Sequence, residues 1–478
     1  MGALKTPLGL LLAATLCAGC APREILLPAV GLTPPALRDF PPGYTPPYSS
    51  ETEQPMPGFG GSGPLTQTPI LFVHGNTVSA RYWLPARRHW LEQGVPSSAL
   101  WALGYGWDNV RYFDSADLSV ESLDRMVTSV LEHLSRENGR TVHQLDLIGH
   151  SLGVTLVRQW LKQTNSWHKV RNFIGAAGAN DGVWTASADS RGQNRGVAFE
   201  LHPGSPWLAQ LNRGGETPGP TRYLTLYDGT GWGDVLFPPG FEDSSALEGA
   251  DNLAYNRVHG THFDHLELPR VPETLDAMLA WLREAPEPLP QASPPRVLQS
   301  GDQLRPEPAE ARLHCATQGR WPHRRSAALA EVRMSPRTLY HCYARHPQTH
   351  LSSPIGHFFV REAATGAGPL TLSASVPAGA YEQPLEVALS ASDPAAWIVY
   401  STAGRLPESG APLYQAPVYI AGPLTLVAQA FSADGRVSEP LSLRYDISLE
   451  LIDARHALRR QFEADAEPDY AARRGKGR

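Results

Sequence analysis

The chain has 478 residues, more than one ordinary domain needs, and 42% of them are hydrophobic, which suits a globular protein with a core. The formal net charge of −6 provides no basic surface field, so the composition disfavours a nucleic-acid-binding protein. Glycine and proline contribute 43 and 44 residues, a content that predicts long turns and linkers.

The first 20 residues, MGALKTPLGLLLAATLCAGC, have the pattern of an export signal. A lysine precedes an apolar run that is too short to span a bilayer, and small residues follow. The segment resembles a lipoprotein signal peptide with CAGC as the cleavage box, although Cys17 stands where leucine is usual. The resemblance implies a lipid on Cys20, which would attach the chain to a membrane of the cell envelope. A plain secretory signal is the alternative, and both predict an exported protein.

The next two segments differ sharply in pattern. Residues 21–66 are rich in proline, glycine and serine, which predicts a tether. In residues 67–283, strand-like runs alternate with helix-like runs, which predicts a mostly parallel α/β sheet flanked by helices. The expected strands are ILFVHG, HQLDLIGH, RNFIGAAG, TRYLTLYD and LAYNRVHG, and the expected helices include SVESLDRMVTSVLEHLSREN, VTLVRQWLKQ and PETLDAMLAWL.

The C-terminal part contains at least one further domain. Residues 284–310 are proline-rich and predict a second linker, and residues 311–362 form a small Cys/His/Arg-rich module of no recognised class. Short strands separated by turns over residues 369–447 predict a small all-β sandwich. The tail, 448–478, predicts a short helix followed by a disordered basic end.

Two cysteines, Cys315 and Cys342, remain outside the signal segment. An even pair in an exported protein most often forms a disulfide. Three histidines lie nearby in the sequence, but their spacing matches no zinc pattern, so we expect no metal site there. These histidines are His314, His341 and His346.

Residues 149–153, GHSLG, fit the G-x-S-x-G pattern of a nucleophilic serine. The two glycines allow a tight strand-to-helix turn, from which Ser151 projects at the carboxyl edge of the sheet. Three fixed letters in five are weak evidence alone, but a strand-like LDLI precedes them and a helix-like VTLVRQWL follows. The alternative is an ordinary strand–helix turn.

A second element supports this prediction at the end of an earlier strand, where ILFVHGN carries His74 and Gly75. Backbone N–H groups just after such a histidine–glycine pair point at the same place as the N–H that follows the nucleophile. We therefore expect Asn76 and Leu152 to bind the oxyanion of a tetrahedral intermediate. His74 is expected to hold the loop and not to transfer protons.

The stretch HGTHFDHL contains three histidines, His259, His262 and His265. Together with the GHSLG turn, it resembles the α/β-hydrolases, and specifically the secreted bacterial lipases. In that fold the triad runs Ser, then Asp or Glu, then His, with the histidine between the last strand and the last helix. THFDHLELP fits the family's ending, which implies that His262 is the catalytic base. His265 is the alternative, His259 is expected to be structural, and no metal is expected on the three.

The same resemblance implies an acid after the strand TRYLTLYD. Asp234, in DVLFP, fits the family's motif at this point. The turn before it is longer than usual, so Asp228 remains the alternative. The other role of either residue is to cap backbone N–H groups of the turn. LHPGSPWLAQLNRGG also resembles the segment that precedes the acid strand in such lipases.

Residues 369–447 resemble the chitobiase/β-hexosaminidase C-terminal domain, through GAYEQPLEVALSASDPAAWIVYST and LTLVAQAFSADGRVSEPLSLRYDI. Ala403 stands where that family usually has an aspartate in its turn. The resemblance implies an accessory sandwich, which acts as a spacer or contacts the substrate.

The sequence therefore predicts an exported serine ester hydrolase of the triacylglycerol lipase or carboxylesterase type. Ser151, Asp234 and His262 would act through an acyl-enzyme, without metal or organic cofactor. The expected partners are an ester substrate, lipid or polyester, and a membrane reached through a lipid on Cys20, with no nucleic acid. The alternatives are an extracellular polyhydroxyalkanoate depolymerase and a non-catalytic surface-binding lipoprotein. A sugar-active enzyme is disfavoured because no paired-carboxylate motif stands out.

Overall fold

The computed structural model describes residues 40–46, 56–76, 78–105, 116–188, 195–289, 292–363 and 368–447. The predicted signal segment with Cys20 and the tail 448–478 lie outside these ranges. Within the described ranges, each helix is too short or too polar to cross a membrane.

A seven-stranded sheet forms the centre of the hydrolase part and confirms the predicted α/β class. Its order is β1-β3-β2-β4-β5-β6-β7, and all neighbours are parallel except β1 and β3. Strands β2 to β5 are buried along their whole length, as expected for strands covered on both faces. The strands are β1 (Gly58–Phe59), β2 (Ile70–Val73), β3 (Leu100–Leu103), β4 (Leu145–His150), β5 (Val170–Ala176), β6 (Arg222–Tyr227) and β7 (Asp251–Ala254).

Helices surround this sheet at the predicted places. They are α1 (Leu84–Glu92), α2 (Ala116–Asn138), α3 (Leu152–Thr164), α4 (Trp184–Ala188), α5 (Arg195–Glu200), α6 (Pro206–Asn212), α7 (Tyr255–His259) and α8 (Pro272–Glu284). Helix α3 is buried on all sides, its polar residues included. A helix of this kind needs a neighbour on every face.

One predicted strand, LAYNRVHG, is wrong in its second half. The strand ends at Ala254, and the chain continues as the short helix α7, which Gly260 terminates with φ of +67°. The amide N–H of Arg257 donates to the carbonyl of Asp228, so the helix is tied to the end of β6. His259 consequently lies exposed in a helix and not in a strand, with its ring 4.3 Å from that of Tyr255.

The segment after the hydrolase contains two three-stranded sheets, β8-β9-β11 and β10-β12-β13. The hairpin β8–β9 lies inside the segment that was predicted as a linker. In β9 the side chains of Leu304 and Pro306 are buried and their neighbours are more exposed, but a proline is unusual in a strand and hid this alternation. Cys315 and Cys342 face each other across β10 and β12 in a disulfide with an S–S distance of 2.02 Å. These strands are β8 (Arg296–Ser300), β9 (Gln303–Glu307), β10 (Arg312–Thr317), β11 (Val332–Arg333), β12 (Tyr340–Arg345) and β13 (Gly356–Phe358).

The last part of the chain is all-β, as predicted. Its largest sheet has the order β15-β21-β20-β18, and two-stranded pairs β14–β17 and β16–β19 accompany it. An apolar core that includes Val387, Leu426 and Tyr445 fills the space between them. The strands are β14 (Leu372–Ala374), β15 (Gly379–Tyr381), β16 (Leu385–Val387), β17 (Leu389–Ala391), β18 (Trp397–Ser401), β19 (Val418–Ile420), β20 (Leu424–Phe431) and β21 (Leu441–Ile447).

These C-terminal parts cover the far end of helix α3. The Gln163 side chain accepts a hydrogen bond from the backbone N–H of Thr402 (2.9 Å), and the Asn165 amide donates to the carbonyl of Ile355 (2.7 Å). Arg405 pairs with Asp124 of α2 at 2.7 Å. The far end of α3 therefore obtains hydrogen-bond partners from the C-terminal parts.

Candidate active site

Ser151 occupies a strained turn between β4 and α3. Its backbone has φ of +53° and ψ of −124°, a conformation that L-residues rarely adopt outside functional sites. Both flanking glycines are required by close contacts. A Cβ on Gly153 would lie 2.5 Å from the carbonyl oxygen of His74, and one on Gly149 would lie 3.0 Å from that of Gly153. This is the geometry that the G-x-S-x-G pattern predicts.

The loop after β2 runs directly against this serine. A Cβ on Gly75 would lie 2.9 Å from the Cβ of Ser151. His74 is fully buried, donates from Nδ1 to the carbonyl of Gly75 (3.0 Å), and stacks on Tyr105. Burial lowers the pKa of His74 to about 4, so the ring is neutral near pH 7. Its position suits a residue that holds the loop, and Asn76 follows two residues later.

Asp234 and His265 form a buried acid–base pair. The Nδ1–H of His265 donates to Oδ2 of Asp234 at 2.7 Å, and the other carboxylate oxygen accepts from the backbone N–H of Leu236 at 3.0 Å. Asp234 is only 1% exposed. A buried carboxylate on Nδ1 fixes the imidazole tautomer and leaves Nε2 as the proton acceptor.

The structure pairs Asp234 with His265, the alternative from the sequence, and not with His262. His262, the sequence-based choice, is exposed and does not contact Asp234. The reason lies on either side of it: the hydroxyl of Thr261 and the N–H of Phe263 both donate to Oδ1 of Asn256, at 2.8 and 3.3 Å. This anchor leaves His262 on the solvent side of the loop.

The residue before His265 is an aspartate, which is a turn signal that the sequence contains. The carboxylate of Asp264 accepts the backbone N–H groups of Leu266 and Glu267, both at 2.8 Å. An aspartate that caps the N–H groups two and three residues later starts a tight turn. That turn brings His265, the residue directly after Asp264, back toward Asp234.

Asp228 has a different environment from Asp234. Its carboxylate accepts from the N–H groups of Thr230 (3.1 Å) and Gly231 (2.7 Å) and from the amide of Asn256 (2.6 Å). Burial alone would raise the pKa of Asp228, but these hydrogen bonds bring it below its ordinary value. The same Asn256 amide also donates to the carbonyl of Phe263 at 2.8 Å. Asp228 therefore links the turn that carries Asp234 to the loop that carries His265.

Two further side chains, which the sequence analysis missed, hold the His265 loop. The Nε2–H of His150 donates to the carbonyl of His265 at 3.0 Å, and the Tyr82 hydroxyl donates to that of Leu266 at 2.9 Å. The rings of His150 and Tyr82 stack with centroids 4.6 Å apart. Burial and the nearby His265 hold the pKa of His150 well below its ordinary value. A neutral His150 does not repel a positive charge on the neighbouring ring.

Exposed apolar side chains flank the pair. Trp232 and Val235, on either side of Asp234, are 78% and 63% exposed, and Leu266 beside His265 is 42% exposed. In the described part of the chain, His, Cys, Asp and Glu side chains do not gather in groups of three or more suited to a metal ion. The site thus combines a strained serine, adjacent backbone N–H groups, an Asp–His pair and an apolar border.

Comparison with known proteins confirms both expected resemblances. Residues 67–227 match the family model of lipase (class 2), and residues 376–442 match that of the chitobiase/beta-hexosaminidase C-terminal domain. The search of curated proteins returned no match.

Several solved structures are similar to the hydrolase part. The mature lipase BlEst2 of Bacillus licheniformis shares 17% identity over 47% of this chain and 96% of its own, with a TM-score of 0.36. Lipase B of Aspergillus fumigatus shares 14% identity over 48% of this chain and 55% of its own, with a TM-score of 0.36. The carboxylesterase CesB of Bacillus subtilis shares 15% identity over 48% of this chain and 90% of its own, with a TM-score of 0.31.

Proposed function

We propose that this chain is an exported serine ester hydrolase in which Ser151 is the nucleophile, His265 the general base and Asp234 its orienting acid. The observation that carries the proposal is the buried 2.7 Å hydrogen bond between His265 and Asp234, together with the strained φ of +53° at Ser151. The class 2 lipase match supports ester hydrolysis, but it ends at residue 227, before the acid and the base. Their roles therefore rest on geometry.

The reaction follows from these groups. A serine hydroxyl is a weak nucleophile at neutral pH, so Nε2 of His265 takes the Ser151 proton as Oγ attacks the ester carbonyl. The backbone N–H groups of Asn76 and Leu152 receive the oxyanion. Asp234 stabilises the imidazolium, which then protonates the leaving alcohol. Water, activated by the same histidine, hydrolyses the acyl-enzyme and restores the serine.

The substrate class and the location are part of the proposal. The exposed apolar side chains beside Asp234 and His265 favour an ester with an apolar acyl group, from a lipid or a polyester. Export, and attachment to the cell envelope through a lipid on Cys20, rest on the signal-like N-terminus.

The test is hydrolysis of p-nitrophenyl esters from C2 to C16 by the purified chain without its first 20 residues. We expect Ser151→Ala and His265→Ala each to lower kcat by at least about 10⁴-fold, since triad members act as a unit. The matched control is His262→Ala, three residues away on the same loop, which we expect to stay within about twofold of the parent.

Two outcomes would contradict the proposal. If His262→Ala abolishes activity while His265→Ala does not, the assignment of the base is wrong. If the parent chain hydrolyses no ester of any length, the catalytic function itself is wrong, and surface binding without turnover becomes the better hypothesis.

A further inference from the structure

A cavity of about 200 Å³ lies where the hydrolase part meets the small Cys/His-rich module. Arg222 and Asp251 line it from the hydrolase, and His323, Arg324 and Arg325 line it from the module. A water molecule occupies roughly 30 Å³ of liquid, so the cavity has room for a small polyatomic ligand.

This cavity is separate from the active site. Arg222 and Asp251 are the first residues of β6 and β7, at the amino edge of the parallel strands. Ser151 follows the last residue of β4, at the carboxyl edge. The sheet therefore stands between the two.

The carboxylates near the cavity already have partners. Asp251 accepts from Arg325 at 2.9 Å and from the indole N–H of Trp281 at 3.0 Å. Arg222 pairs with Glu284 at 2.6 Å, on the side of α8. These two carboxylates are therefore paired directly with Arg325 and Arg222, and Asp251 offsets the charge of Arg324 only in part.

Arg324 has no directly paired carboxylate among the described residues. Among the described residues, its half-buried guanidinium makes no hydrogen bond and no ion pair. Burial, with the positive charges of Arg345 and Arg222 close by, lowers its pKa to about 10. Arg345 is half-buried as well, and within the described part of the chain no carboxylate pairs with it.

Partly desolvated like charges destabilise a fold unless an opposite charge joins them. A bound anion would supply that charge. A guanidinium offers a planar fork of donors that matches the oxygens of phosphate, and it is the side chain proteins use most for this geometry. Because the lining comes from two parts of the chain, an anion here would also connect them.

We infer that the cavity is an anion site for a phosphate group, with Arg324 as its main contact. The group is either inorganic phosphate or the phosphate of a lipid headgroup. This site is independent of the proposed ester hydrolysis and does not rest on it.

The experiment measures binding of inorganic phosphate to the chain lacking its first 20 residues, by calorimetry and by thermal unfolding at constant ionic strength. We expect phosphate to raise the unfolding midpoint of the parent, and Arg324→Gln to weaken binding at least about tenfold, the loss of one charge-assisted bidentate contact. Arg320→Gln is the control, because Arg320 is exposed on the same module. It should bind like the parent.

A second arm identifies the source of the phosphate. Vesicles that contain phosphatidic acid should bind the parent and lose binding in Arg324→Gln if the natural ligand is a headgroup. If only inorganic phosphate shows this dependence, the ligand is a small soluble phosphate. Vesicles of phosphatidylcholine alone serve as the blank.

The unfolding temperature and the ester hydrolysis of Arg324→Gln test the inference further. Without phosphate, Arg324→Gln should unfold at the same or a higher temperature than the parent, because it removes a like-charge contact. Its ester hydrolysis should equal the parent's, so failure of this site and failure of the proposed catalysis give different patterns. Equal phosphate binding by parent and Arg324→Gln, or no binding by either, would overturn the inference.

Discussion

Asp228 and Asp234 are six residues apart, and their surroundings predict opposite effects of the same substitution. In Asp228→Asn an NH₂ group replaces one carboxylate oxygen. That group then faces either the N–H groups of Thr230 and Gly231, now 3.1 and 2.7 Å from Oδ2, or the amide of Asn256, 2.6 Å from Oδ1. One or two hydrogen bonds are lost whichever way the new amide turns.

The magnitude follows from that count. A hydrogen bond to a charged group contributes about 1.5–3 kcal/mol, so the loss of one or two should lower the free energy of unfolding of Asp228→Asn by about 1.5–6 kcal/mol. Its effect on kcat should stay below about 100-fold, since it reaches His265 only by displacing the loop. Asp234→Asn should do the reverse. It leaves the fold within about 2 kcal/mol of the parent and lowers kcat by about 10⁴-fold through the wrong imidazole tautomer.

The assay pairs urea unfolding, followed by tryptophan fluorescence, with hydrolysis of p-nitrophenyl butyrate. Asp446→Asn, an exposed aspartate on β21, is the control and should change neither quantity. The reasoning is refuted if Asp228→Asn abolishes activity with unchanged stability while Asp234→Asn remains active, because Asp228 would then be the acid.

Three further predictions concern packing, pH and the disulfide. Gly153→Ala should lower the free energy of unfolding by about 1–3 kcal/mol through overpacking and lower kcat about 100-fold, because the new Cβ would lie 2.5 Å from the His74 carbonyl oxygen and push the two oxyanion donors apart. The control Gly379→Ala, whose Cβ would meet only a tyrosine ring at 3.5 Å, should change neither quantity. Burial lowers the pKa of His341 from 6.5 to about 4, so its neutral form stabilises the fold above pH 6.5, and this contribution falls as the pH drops toward 4. Urea unfolding at pH 7.5 and 4.5 should show a loss that is roughly 2–3 kcal/mol larger in the parent than in His341→Phe, because other buried histidines such as His74 contribute equally to both proteins. An equal loss in both proteins would contradict it. Replacing both cysteines of the disulfide, which are 27 residues apart, by alanine should lower the free energy of unfolding of the module by roughly 3.5 kcal/mol, the loop entropy that the cross-link removes from the unfolded chain. Unfolding of both proteins with and without reductant measures this loss, and no change would mean that the apolar core of the module stabilises it without the disulfide.

The parts of the site that the sequence predicted are those that a few neighbouring residues determine. Five consecutive residues specify the Ser151 turn, since two glycines and the flanking strand and helix are all local. The fold class followed for the same reason, because alternating strands and helices need no distant information.

The position of the loop that carries His265 could not be predicted, because contacts outside the loop set its geometry. Asn256 anchors one end of it, and His150, more than a hundred residues earlier, holds the carbonyl of His265. The hydrophobic periodicity of a sequence carries no information on such hydrogen bonds. The C-terminal hairpin was missed because a proline in β9 masked its alternation.

The burial of α3 has a consequence for engineering this chain. The helix begins directly after Ser151 and is followed by Asn165, whose side-chain amide donates to the carbonyl of Ile355. An accessory domain on a flexible tether can be exchanged or deleted without any change to the catalytic domain. Here deletion would expose polar side chains at the end of a buried helix. A domain exchange therefore alters the interior of the catalytic domain and has to supply new hydrogen-bond partners for Gln163 and Asn165.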